Sequence, residues 1–341
     1  MNVNIPPIDG SARDEAETHQ QHLTKPPGSL GRLENLSVRI AGITGDPQPA
    51  LDSAVVVTMA GDHGVVTEGV SAFPQEVTQQ MIENFAAGGA GVNVLARTMD
   101  LENLIVDVGT ATDINIEGVI DAKVGYGTAN IAEEPAMTRK EAVTAIEAGR
   151  EVVAVHAFNA DILGLGDMGI GNTTPSAAVT TTFTSESIRD ITGRGTGIDD
   201  DSYEQKIAVI KKALNLHNPN PVDPIDVLAT VGGYEIGGLA GVVLEGASRR
   251  IPIVVDGFIT GAAALVAVEI EPGVAEYLLP SHSSVESGHA IQLDALGLDP
   301  LFDFEMRLGE GTGAAIGISV ARGACSTHRE MATFEEAGVS K

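Results

Sequence analysis

The sequence has no tryptophan and a single cysteine, Cys325, so no internal disulfide, Cys-based zinc site or redox pair can form within one chain. Aromatic residues make up only 4% of the 341 positions. A core must then rest on Ala, Val, Ile and Leu, the composition of parallel sheets buried on both faces. Long apolar runs are also missing: the longest, 257–268, is too short to span a bilayer and follows Asp256 directly. The N-terminal string MNVNIPPIDGSARDEAE lacks the basic start and apolar run of a secretion signal, so a cytoplasmic location is expected. Positive charge is scarce, with 20 Lys and Arg against 47 Asp and Glu and a formal charge of −27. Such a field repels nucleic acid and anionic membrane surfaces, and neither is expected as a partner. If the substrate carries a phosphate, local donors must outweigh that field.

What is present is 43% hydrophobic residues, 40 glycines and 16 prolines, enough for one large domain with an appendage or for two domains. Ser11 is a candidate cap for a helix running to about His22, Lys25-Pro26-Pro27-Gly28 breaks it, and Leu33, Leu36 and Ile40 resume helical spacing. From about residue 53, short Val- and Ile-rich runs end in Gly/Asp loops: 54–64, 103–110, 160–169, 226–233 and 251–258. Several of these lead into helical patterns. Strands alternating with helices predict an α/β fold with a parallel sheet, which binds ligands at the carboxyl ends of its strands. Asp199 to Asp201 precede a helix over about 202–216, which Asn218-Pro219-Asn220-Pro221 ends. The segment from Gly317 to about Glu336 also reads as helical, and with the N-terminal helices it could form a small second domain.

Several segments carry chemistry, each with a plainer alternative. Gly164-Leu165-Gly166-Asp167-Met168-Gly169 fits the dinucleotide spacing G-x-G-x-x-G, with Glu186 at the distance of the ribose-binding acid. The alternative is a tight strand-to-helix turn. Asn172 and Thr173 in GNTTP can cap a small-residue helix, or hold an anion at its positive end. Gly193 to Gly197 and Ser281 to Ser284 are two further clusters of donors. Together on one sheet edge, the three would make a phosphate or ribose site. His282, Glu286 and His289 have the i, i+4, i+7 spacing of a metal site, set against a loop-like, serine-rich context framed by Pro280 and Gly288. His63 in GDHGV reads as loop support, or as a catalytic group. Leu308-Gly309-Glu310-Gly311 places a carboxylate between glycines in apolar surroundings, where poor solvation makes it a better base near neutral pH. The alternative is a helix-start Glu facing the dipole.

Taken together, TKPPGSLGRLE (24–34), AGDHGV (60–65), GVSAFPQEVTQQM (69–81), GAGVNVLAR (89–97), GNTTPSAA (171–178), PNPVDPIDVLATVGGYEIGGLAG (219–241), VDGFITGAAAL (255–265), PSHSS (280–284) and RLGEGTGAA (307–315) resemble the nicotinate-nucleotide–dimethylbenzimidazole phosphoribosyltransferase family, in the family's order and over nearly the whole chain. The resemblance implies a Rossmann-like α/β domain over 51–316 and a small helical domain from 1–50 and 317–341. It implies a homodimer in which the neighbour's small domain helps form each active site. It also implies transfer of ribose phosphate from nicotinate mononucleotide to 5,6-dimethylbenzimidazole or a related base, with anomeric inversion and with neither cofactor nor metal. Glu310 falls at the catalytic base. Gly169, Gly195, Gly197, Lys206 and Ser284 fall where family members hold the mononucleotide, and Asn172, Thr173 and Leu308 are placed in the same substrate site. Asp167 stands where better-known members have glutamate, which suggests a supporting role at the ribose. Phe73 and Met81 replace polar side chains of some members beside the base pocket and leave the acceptor open. A catalytically silent nucleotide-binding homologue, or a nicotinamide-dependent oxidoreductase suggested by the glycine spacing at 164–169, are the competing readings.

Overall fold

Four of the Val- and Ile-rich runs become strands of one parallel sheet, because each is apolar on both faces and each ends at a glycine or aspartate. The computed structural model describes residues 3–340, so the outermost residues of the two terminal segments lie outside the described part. The strands are β1 (Ala54–Gly61), β2 (Glu102–Gly109), β3 (Val119–Asp121), β4 (Ile162–Met168), β5 (Ile253–Val255) and β6 (Leu278–Pro280). They pair in the order β3-β2-β1-β4-β5-β6, every pair parallel. The order reverses between β1 and β4, and the crevice at such a switch point is where sheets of this kind bind ligands.

The helices are α1 (Gly10–Gln20), α2 (Arg32–Thr44), α3 (Glu76–Ala86), α4 (Gly91–Met99), α5 (Arg139–His156), α6 (Thr173–Thr184) and α7 (Ile188–Ile191). They continue with α8 (Asp200–His217), α9 (Pro224–Val231), α10 (Tyr234–Ser248), α11 (Phe258–Ile270), α12 (Ser287–Ala295), α13 (Thr312–Glu330) and α14 (Phe334–Ala337). Almost every side chain of α10 is buried, which explains its lack of a polar face. It packs on α5 so closely that a Cβ at Gly149 would lie 1.7 Å from the Gly238 carbonyl, and one at Gly241 1.9 Å from the Ile146 carbonyl. The chain's ends meet: α13 packs against both α2 and the sheet, and Arg322 on α13 donates to the carbonyls of Leu51, Asp52, Met99 and Asp100.

Three expectations are corrected. The run 226–233 is not a strand but the end of α9 and the turn after it. Asp223 caps that helix through Asp226 N, and Pro224 sits in its first turn, the usual start signal. Ile225, Val227, Leu228, Ala229 and Val231 of the helix are buried, and so dense an apolar run imitates a strand. The first helix is capped by Asp9, whose carboxylate accepts from Ala12 N at 3.0 Å, while the Ser11 hydroxyl donates forward to Glu15. The C-terminal helix begins at Thr312, directly after the Gly309–Gly311 loop. The edge strands β3 and β6 are three residues each, too short to leave a period in the sequence.

Candidate active site

A cavity of about 380 Å³ opens at the carboxyl ends of β4, β5 and β6, on one side of the switch point. One wall is apolar, with Val77 and Met81 on α3, Phe73 in the loop before it, and Leu308. The cavity is also lined by Gly169, Asn172, Thr173, Gly195 and Ser284, and Arg307 reaches it. The three donor clusters of the sequence thus meet at one place.

Glu310 lines the same cavity and lies in the left-handed backbone region, with φ +64°. Its side chain is 6% exposed. One carboxylate oxygen accepts from Val92 N at 3.2 Å, at the N-terminus of α4. Burial raises its pKa above the ordinary carboxylate value, and the backbone N–H groups of Val92 and Gly91 oppose the rise without cancelling it. Two glycines make room for this. A Cβ at Gly91 would stand 3.3 Å from the Glu310 carboxylate and 2.9 Å from Leu308 Cδ2, and a Cβ at Gly166 only 2.3 Å from the Glu310 carbonyl. Gly164 and Gly166 therefore lie inside β4, not in a turn, and Gly166 lets the loop pack on the strand. This overturns the dinucleotide reading, and of the three glycines only Gly169 lies in the strand-to-helix turn, between β4 and α6. Glu186 lies exposed beyond the end of α6.

Asp167 ends β4 as a buried carboxylate. Its pKa is raised to about 7, mainly by burial and further by the charges of Glu235 and Glu310, with the Asn172 hydrogen bond opposing the rise. Asn172 Nδ2 donates to Asp167 Oδ2 at 2.9 Å, while Oδ1 has no partner. Asn172 occupies the cap position of α6 without capping it by its side chain. Thr173 does not cap it either: its hydroxyl oxygen accepts from Lys206 Nζ at 2.7 Å.

Lys206 does not line the cavity. It is 1% exposed, behind the wall, and also donates to the Gly193 carbonyl at 3.2 Å. Burial lowers its pKa to about 8, against the raising effect of Glu286. Its charge can reach a ligand only through Thr173 and the 193–195 loop. Gly197, at φ +95°, lies in an adjoining cleft with Arg194 and Tyr203. The other ten residues expected at the site line the cavity.

The spacing of His282, Glu286 and His289 does not produce one helical face. Glu286 precedes α12 and accepts from Gly195 N at 2.9 Å, His289 Nδ1 accepts from Ser284 N at 3.1 Å, and His282 Nδ1 meets Ser281 Oγ at 3.1 Å. Among the described residues, no three His, Cys, Asp or Glu converge as a metal site would require. His63 is fully buried behind the cavity and bonded to Glu235 Oε1 at 2.9 Å. Burial lowers its pKa, but Glu235, followed by Asp62, outweighs that and leaves it raised.

Two residues escape sequence reasoning. Arg307, whose Nη1 donates to the Gly195 carbonyl at 3.1 Å, is a cation on the cavity wall. It flanks the Gly309–Gly311 loop, and that adjacency is the available signal. Asp256 lies under the same loop and only the fold brings it there.

The chain is similar to known proteins along almost its whole length. Residues 5–339 match a family model described as phosphoribosyltransferase. The nicotinate-nucleotide–dimethylbenzimidazole phosphoribosyltransferase of Chloroflexus aggregans is 53% identical, over 99% of this chain and 96% of its own length. The enzyme of the same name from Roseiflexus sp. (strain RS-1) is 54% identical over the same shares. Among solved structures, CobT from Thermus thermophilus superposes with a TM-score of 0.93 at 43% identity, covering 97% of this chain and 99% of that one.

Proposed function

This chain belongs to the nicotinate-nucleotide–dimethylbenzimidazole phosphoribosyltransferase family, and from that premise we infer that it transfers ribose 5-phosphate from nicotinate mononucleotide to 5,6-dimethylbenzimidazole or a related base. The products are nicotinate and the α-ribazole 5′-phosphate of that base, with inversion at the anomeric carbon.

In the displacement, the bond between the anomeric carbon and the pyridinium nitrogen breaks, and its electron pair leaves with nicotinate as a neutral ring nitrogen. A lone pair of the incoming base forms the new bond on the opposite face. The proton on the other ring nitrogen must then go to a base. The single observation that carries this reading is Glu310, a buried carboxylate of raised pKa in a cavity lined by both apolar side chains and hydrogen-bond donors. We assign it the role of general base, worth ~10²–10⁴-fold in rate. The slot of Phe73, Met81 and Leu308 suits a flat aromatic acceptor. Gly169, Thr173, Gly195 and Ser284 are assigned to the ribose phosphate, with Arg307 on the Gly195 carbonyl and Lys206 acting from behind Thr173. Gly197 is assigned to shaping that loop. Asp167, held by Asn172, is assigned to the ribose. Holding both rings on opposite faces of one ribose supplies a further gain through proximity.

Phe73 is 51% exposed and Leu308 61%, an apolar cavity mouth open to solvent. We assign its closure to a second copy in a homodimer, with residues 1–50 and 317–341 as the small helical part that contributes. Among the described residues no helix is long and apolar enough to cross a membrane, and the cytoplasm is the proposed compartment. The test is direct: incubate the protein with nicotinate mononucleotide and 5,6-dimethylbenzimidazole, follow free nicotinate, and establish the product's anomeric configuration by NMR. Acceptor-dependent nicotinate release with an α-product is expected. No release with any benzimidazole, purine or phenolic acceptor would overturn the reading.

A further inference from the structure

A base is effective only when it is aimed, and the backbone at Glu310 is not a conformation that the residue would hold unaided. A φ of +64° in a residue with a side chain stores strain that the surroundings must offset. Two side chains reach the loop from the sheet. Thr58 on β1 donates its hydroxyl to the Glu310 carbonyl at 3.0 Å. At the end of β5, Asp256 Oδ2 accepts from Gly311 N at 3.3 Å and Oδ1 from Ala314 N at 2.8 Å.

Asp256 is unusual in its setting. It is 1% exposed and makes no ion pair among the described residues. A buried, unpaired carboxylate is costly unless hydrogen-bonded. Its compensation is the N-terminus of α13, where free N–H groups and the helix dipole favour an acceptor. An N-terminal cap normally comes from the residue just before the helix. Here that residue is Gly311, which has no side chain to offer, and the acceptor comes from 58 positions away. The Asp256 backbone is itself fixed, since Ser281 Oγ donates to its carbonyl at 3.0 Å. The fit is close: a Cβ at Gly313 would stand 2.7 Å from Asp256 Oδ1. The loop that carries Glu310 is thus tied to a rigid strand end, not to its own sequence neighbours.

We propose that Asp256 is a positioning residue for the transfer reaction: by holding the N–H groups of Gly311 and Ala314 it fixes the strained Gly309–Gly311 loop, and with it the direction in which Glu310 presents its carboxylate to the incoming base. The proposal rests on Glu310 being that base. Asp256 touches no substrate; it acts through Glu310.

The experiment is a double-mutant cycle of Asp256→Asn and Glu310→Gln. Turnover is expressed per site that binds nicotinate mononucleotide, counted by calorimetric stoichiometry, so that a smaller folded fraction is not mistaken for slower chemistry. In Asp256→Asn, kcat per site is expected to fall by ~10²-fold, the scale of a misplacement of about an ångström. KM for the mononucleotide stays within about twofold. A residue acting only through Glu310 adds nothing once Glu310 is disabled, so the double variant should be no more than about twofold slower than Glu310→Gln alone. A kcat per site within about threefold of the parent, or losses that multiply in the double variant, would overturn the proposal. If Asp256→Asn yields no binding-competent protein, Thr58→Val removes the loop's other tether, and an unchanged kcat per site there overturns it equally. Near-normal turnover in Glu310→Gln alone would instead mark the failure of the base assignment.

Discussion

Two opposing influences meet at Glu310: burial, which raises its pKa, and the N–H groups at the start of α4, which lower it. Burial wins, so the carboxylate ionises above the ordinary glutamate value and is a stronger proton acceptor for it. The acid limb of kcat against pH should therefore have its midpoint above that of an ordinary glutamate, with activity rising as pH rises; a limb at or below the ordinary value contradicts the burial argument. Asp167 and Asp256 carry a separate consequence for stability. Their folded pKa values, pushed up mainly by burial to about 7 and about 8, exceed the ordinary aspartate value of 3.8. A group raised in the folded state favours folding fully at low pH, and loses that contribution as pH rises through its folded pKa. Thermal unfolding followed from about pH 5 to about pH 8, across that window, should show the parent losing stability more steeply than Asp167→Asn, which cannot ionise; parallel curves would show that Asp167 is not desolvated.

At the scale of the element, β4 and the Glu310 loop are in backbone contact, and Gly166 is what permits it. Gly166→Ala would drive a Cβ to 2.3 Å from the Glu310 carbonyl, so the loop must move. We expect kcat to fall by ~10²-fold or more while far-ultraviolet circular dichroism stays unchanged; an alanine variant with parental kcat would mean that loop placement is unimportant. This contact also marks where sequence reasoning stops. The runs at 54, 103, 160 and 251 are legible as strands because each is apolar on both faces and ends in Gly or Asp. Glu310 is legible because its glycine frame is local. The glycines at 164 and 166 mislead, since what they make room for, α13 at Gly164 and the Glu310 loop at Gly166, lies over a hundred positions away in the chain. The segment after Asp223 misleads because the apolar run of a largely buried short helix reads like that of a buried strand. Asp256 and the partners of Glu286 depend on which strand ends the sheet brings together. Lys206, expected in the cavity, is a full layer behind it.

Across the whole molecule, a formal charge of −27 opposes an anionic donor. The local answer is small: Arg307 at the cavity, Lys206 behind it, and backbone N–H groups. Long-range repulsion is screened by salt, whereas contacts inside the cavity are screened much less. Raising ionic strength from about 10 mM to about 150 mM shortens the Debye length from ~30 Å to ~8 Å. It should raise kcat/KM for nicotinate mononucleotide while leaving kcat nearly constant. A fall in kcat/KM would mean that the local cations dominate even at long range.

In this mechanism one poorly hydrated carboxylate removes the acceptor's proton. Rapid-quench measurement of a single turnover, with saturating nicotinate mononucleotide and 5,6-dimethylbenzimidazole, tests that most directly in Glu310→Gln. Intact mononucleotide binding is expected, with the transfer step slowed ~10²–10⁴-fold. A transfer rate within about threefold of the parent would contradict it.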